Sequence, residues 1–129
     1  MNNYITQGHI ISLKKDIQRD LDEYKRDGRK VKYVITGEWR IILMYAIEIL
    51  ERIRQKIMKY GPFLLDDLLD MLSRQNWYKF SLEGYSLSSD KARERLGLRK
   101  TMSTVDVLYE QGAMLRKAGF YVRTLIEGV

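Results

Sequence analysis

The hydrophobic positions of this chain follow two rhythms. Long stretches carry apolar residues every three or four positions, and short ones alternate apolar with polar. The longest stretch of the first kind is TGEWRIILMYAIEILERIRQKIMKYGP, Thr36 to Pro62. Thr36 is placed to cap the first amides, and Glu38 puts negative charge where the helix dipole favours it. Gly61 suits the left-handed residue after a helix, and Pro62 cannot continue one. Ile41 to Ile47 holds no charged or amide residue, which predicts a first half buried on every side. Leu50, Ile53 and Ile57 then narrow to one face. The other elements are expected to pack on this helix.

Ahead of it, residues 1–9 read as a tail or an edge strand, with His9, the one histidine, as a plain surface residue. Residues 12–27 are predicted to form an amphipathic helix capped by Ser12 and ended by Gly28. Its stripe, Leu13, Ile17, Leu21 and Tyr24, is narrow enough to leave work for a partner, so a homodimer through residues 13–24 is expected. KVKYVIT, residues 30–36, alternates and is β-branched, which predicts a strand.

After Pro62, Leu65, Leu68, Leu69 and Leu72 recur at helical spacing. Asp66, Asp67 and Asp70 project from the same helix. Their Asp-Asp-x-x-Asp spacing resembles the magnesium-pyrophosphate motif of prenyl-synthase-like enzymes, but the chain has no second carboxylate cluster to face it. Acidic residues at a helix start are favoured by the dipole alone, so no metal site is expected. WYKFSL, from Trp77, alternates again and predicts a strand whose aromatics are core, with a base-stacking platform as the alternative. Ser88 or Ser89 caps a short helix, DKARERLG, ended by Gly97. After the basic connector LRKTM, the capping-box signature STVD opens a last helix, VDVLYEQGAMLRKAG. Its buried stripe is expected at Val105, Leu108, Gly112 and Leu115, beside Ala118, and Gly119 is expected to stop it. FYVRTLIEG then reads as a closing strand. The expected fold is α+β and mostly helical: about five helices and a small three-stranded sheet in one domain over residues 1–129, with the core in residues 30–126.

Composition narrows the chemistry. The chain has 129 residues, with 45% hydrophobic residues, two Trp and nine Tyr, enough for a real core. It has no Cys, which excludes disulfides and thiolate metal sites. The first fifteen residues lack a basic stretch followed by an apolar one, and the longest apolar run is seven residues, so a soluble cytoplasmic protein without membrane association is expected. A lone histidine and the absence of a glycine-rich phosphate loop leave no basis for catalysis or a cofactor.

The net charge is +6 and is unevenly spread. Residues 11–28 are neutral, residues 29–40 carry +3, residues 62–75 carry −2 and residues 91–101 carry +4. Two basic clusters on a mixed background suit an anionic partner or two solvated turns. In residues 88–126, KARERLGL followed by STVDVLYEQGAMLRKAGF resembles the paired helices of helix-turn-helix proteins with a wing. That resemblance implies a duplex-DNA-binding regulator. Lys91, Arg93, Arg95, Arg99, Lys100 and Lys117 would then meet phosphates, and Thr104, Gln111 and Arg123 would reach bases or a minor groove. The segment departs from the pattern in its longer connector, in Arg93 where a small residue usually packs, and in Asp106 and Glu110 on the outward face. The competing reading is a non-catalytic protein-interaction module, an assembly or inhibitor protein of the kind found among viral and plasmid accessory proteins.

Overall fold

The computed structural model describes residues 3–27, 37–73, 89–99 and 101–128, and all structural statements concern these. The element order is β1 (Tyr4–Ile5), α1 (Gln7–Asp27), α2 (Gly37–Tyr60), β2 (Phe63–Leu64), α3 (Leu65–Ser73), α4 (Ser89–Leu96) and α5 (Thr104–Glu127). The described chain is mostly helical with one small antiparallel sheet. The strands expected at residues 30–36 and 76–82 lie outside the described residues.

Helix α2 is the axis of the fold. Ile41, Ile42, Leu43, Tyr45 and Ala46 are all buried, as a first half without charge requires, and Ile49, Leu50, Ile53 and Ile57 continue one buried face. Gly61 stops the helix at a φ of 89°, its amide donating to Ile57 O at 2.8 Å. Helices α1 and α5 each pack along α2, while α3 and α4 lean on α5.

Helix α1 starts five residues earlier than expected. Thr6, not Ser12, closes its first turn: His9 N donates to Thr6 Oγ1 at 3.5 Å, and Thr6 N donates to His9 Nδ1 at 3.3 Å. This is the reciprocal logic of a capping box with an imidazole in place of a carboxylate. Ile10, Ile17 and Leu21 are buried and Leu13 is half-buried, all in the shared core with α2. Leu13, Ile17 and Leu21, three of the four residues expected to carry a homodimer, therefore pack in the fold. The edge strand is found: Tyr4 pairs with Leu64 and Ile5 with Phe63, and Leu65 N donates to Asn3 O at 2.8 Å. Its partner β2, directly ahead of α3, is a strand the sequence pattern did not announce.

Helix α5 is the largest correction. It runs unbroken from Thr104 to Glu127, so Gly119 does not end it and FYVRTLIEG is helix, not a closing strand. The wing expected from that segment is not formed. The buried register is also different. Val107, Gln111, Leu115, Ala118, Gly119, Val122 and Ile126 face inward, while Val105 and Leu108 face out. The register at 107, 111, 115, 118, 122 and 126 stays in phase with a helix over five turns, and burying Val122 and Ile126 overrides the local β propensity of that stretch. Among the described residues, no helix is long and apolar enough to cross a membrane.

Candidate interaction face

The expected nucleic-acid residues sit around α4, the turn after it and α5. Gly97, at a φ of 68°, ends α4 with its amide on Glu94 O and the Leu98 amide on Arg93 O at 2.9 Å, a paired glycine cap. Ser103 then caps α5. Its hydroxyl oxygen accepts from Asp106 N at 3.1 Å and the hydroxyl donates to Asp106 Oδ2 at 2.8 Å.

Two of the expected phosphate contacts are committed inside the molecule. Arg93 Nη2 donates to Met102 O at 2.6 Å, stapling the end of the connector back onto α4, and Arg93 Nη1 lies 3.4 Å from Asp90. Arg95 Nη1 donates to Glu48 Oε1 at 2.7 Å, tying α4 to α2, with its guanidinium 5.8 Å from the Tyr45 ring centroid. Gln111, expected to reach bases, is only 8% exposed and faces the core. The helix register that buries Val107 and Leu115 carries Gln111 inward with them. Its Oε1 finds no hydrogen-bond partner among the described residues. Arg123, half-exposed, donates to Glu127 Oε1 at 3.1 Å. Lys91, Arg99, Thr104 and Lys117 are exposed, and Lys100 lies outside the described residues. Acidic Asp90, Glu94 and Asp106 are exposed among them.

The outer face of α5 carries what charge patterning did not announce. Val105 is 76% exposed, Leu108 54% and Tyr109 68%. At about 100° per residue these three, with Gly112 and Arg116 further on, lie on one side of the helix that adjoins the buried register, with Leu108 at the shared edge. A Cβ built on Gly112 meets nothing within 4 Å, so this side is open. Asp106 and Glu110 flank its first half, and Arg116 and Lys117 lie in its second. The period announces part of this face: a helix read through Gly119 to residue 126 in the 107–126 register turns Val105 and Tyr109 away from the core, whereas Leu108, in phase with Leu115, is exposed at the edge of that register.

Elsewhere, Glu51 on α2 accepts from Lys14 of α1 and from Arg54 Nη2 at 2.6 Å. The Arg54 hydrogen bonds, against partial desolvation and with help from Lys14, hold its carboxyl at about 2, below the ordinary 4.5. This is a structural clamp between α1 and α2. Asp66 and Asp67 are exposed on α3, and no group of three His, Cys, Asp or Glu among the described residues is placed to hold a metal ion. Compared with family models, curated proteins and solved structures, the chain matches none.

Proposed function

We propose that this protein is a non-catalytic interaction module that self-associates through the outer face of the first half of α5. The observation that carries the reading is the exposure of Val105, Leu108 and Tyr109 side by side on a helix whose adjoining face is buried in the core. Contiguous apolar side chains left in water mark an interaction site. A second copy fits the charges. Set antiparallel about a two-fold axis near Gly112, the acidic half of one helix, Asp106 and Glu110, runs beside Arg116 and Lys117 of the other. The apolar residues meet between them, and a two-fold contact repeats each favourable pair.

Sedimentation equilibrium tests this. The expected result is a dimer at micromolar concentration, converted to monomer by Leu108→Asp with the helical circular dichroism retained. Asp106→Arg and Arg116→Glu should each weaken association, because like charges then face each other. Mixing the two variants should restore it, since each supplies what the other lacks. A wild-type chain that stays at 15.3 kDa when concentrated overturns the reading.

Duplex-DNA binding by the α4–α5 region is the second reading, favoured by the exposure of Lys91, Arg99 and Thr104. It needs a phosphate surface built without Arg93 and Arg95.

A further inference from the structure

A groove of about 490 Å³ runs between α1 and α2. Ile11, Lys14, Lys15 and Gln18 share one face of α1 and form one wall. Ile47, Glu51 and Arg54, at helical spacing on α2, form the other. Three cations and one carboxylate therefore line it, which leaves two positive charges in excess. The carboxylate is fully engaged. Arg54 Nε and Nη2 grip the two oxygens of Glu51 at 2.9 and 2.6 Å, and Lys14 shares Oε2. Donors are left over. Lys14 gives one of its three ammonium N–H groups to Glu51, and exposed Lys15 has no hydrogen bond or ion pair among the described residues. The Gln18 amide gives one N–H to Asp22 at 3.0 Å and keeps a second. Ile11, 38% exposed, and half-buried Ile47 add apolar surface.

We infer that this groove binds a small phosphate monoester with an apolar body. The volume falls in the range of small-molecule pockets, roughly 300–1,000 Å³. Two surplus charges match a dianion, whereas a carboxylate would use one of them. The kind of donor points the same way. The Arg54 fork, whose geometry suits a flat carboxylate, is already spent on Glu51. What remains are lysine ammonium groups, point charges that take a tetrahedral oxyanion without a planar match. Glu51 does not oppose the ligand, because Arg54 and Lys14 already neutralise it. The two isoleucines take the apolar body out of water. The chain's net charge of +6 attracts an anion at long range as well. No described residue of α5 lines the groove, so this inference is independent of self-association.

The experiment is a titration of isotope-labelled protein at pH about 7.5, where a phosphate monoester is a dianion, followed by amide NMR shifts. Phenyl phosphate is the probe. Phenol supplies the body without the charge, inorganic phosphate the charge without the body, and benzoate a planar monoanion. Phenyl phosphate is expected to move the amides of Lys14, Lys15 and Ile47. It should bind about tenfold or more tightly than phenol, about threefold or more tightly than inorganic phosphate, and more tightly than benzoate. Lys15 takes no part in the Glu51 clamp, so Lys15→Gln should leave the melting temperature unchanged and lower phenyl phosphate affinity about fivefold. Ile11→Ser should bring phenyl phosphate down to the affinity of inorganic phosphate. Phenyl phosphate bound no more tightly than phenol, inorganic phosphate or benzoate would overturn the inference. So would unchanged affinity in Lys15→Gln, shifts confined to other surfaces, or no shifts at all.

Discussion

Thr6 and His9 close the first turn of α1 between them, the backbone amide of each donating to the side chain of the other. The arrangement requires His9 Nδ1 to be unprotonated, since it accepts from an amide. Removing the hydroxyl leaves first-turn amides without their partner. Thr6→Ala is therefore expected to cost about 1 kcal/mol, a fall of about 3–5 °C in Tm by calorimetry. Glu51 makes a different kind of prediction, in pH. Its folded carboxyl titrates at about 2 against an ordinary 4.5, so the unfolded chain takes up the proton first as pH falls. The stabilisation is complete above the unfolded value and is lost as pH drops through the folded one. Discounted for solvent screening, it amounts to about 1 kcal/mol. The stability difference between wild type and Glu51→Gln in urea should accordingly shrink as pH is lowered from about 5 to about 2. A difference that stays constant over that window would show that the Lys14–Glu51–Arg54 cluster is not a stabilising clamp.

At the scale of elements, α2 was legible because every signal agreed. Its end carries a terminating glycine and proline, and its first half has nothing that must face water. Ile49, fully buried on it, should lose about 2–4 kcal/mol on truncation to Ala, read from the denaturant midpoint; a loss under about half a kcal/mol would deny α2 its central place. Helix α5 was not legible past Gly119. Phe120 to Ile126 is rich in β-branched and aromatic residues that suit an alternating strand as well as a helix, and only packing on α2 decides between them. The same misplaced end shifted the buried register and hid the outer face. Gly112 lies on that face with open space where a Cβ would go. In the monomeric Leu108→Asp background, Gly112→Ala should raise stability by about 0.5–1 kcal/mol through helix propensity. In the otherwise wild-type chain it should weaken self-association, because a methyl group then stands at the crossing of the two helices. Sedimentation and thermal melts read the two effects separately, and tighter association in the Gly112→Ala chain would move the crossing elsewhere.

For the whole molecule, the sequence displays charges but not the partners they find. Arg93 reaches a carbonyl 9 residues away and Arg95 a carboxylate 47 residues away, so both count as basic surface in the sequence and as internal ties in the fold. This divides the basic cluster into two groups with opposite expected behaviour. Arg95→Ala removes the link from α4 to α2 and leaves Glu48, half-buried, without that partner, so it should lower the melting temperature. It should leave any salt dependence of duplex binding unchanged, because the Arg95 guanidinium is committed to Glu48 and its side chain is only 26% exposed. The triple change of Lys91, Arg99 and Lys117 to Ala touches exposed side chains, whose surface pairings contribute little, and should barely alter the melt. If these three meet phosphates, it should flatten the slope of log affinity against log salt by about two to three units, near −0.9 per contact. Filter binding of random duplex across a salt series measures the slope, and calorimetry the melt. A triple variant that binds duplex with the wild-type slope removes these residues from any phosphate surface. A wild-type chain that retains no duplex at low salt, where counterion release drives binding hardest, removes the DNA reading altogether and leaves the outer face of α5 as the functional surface.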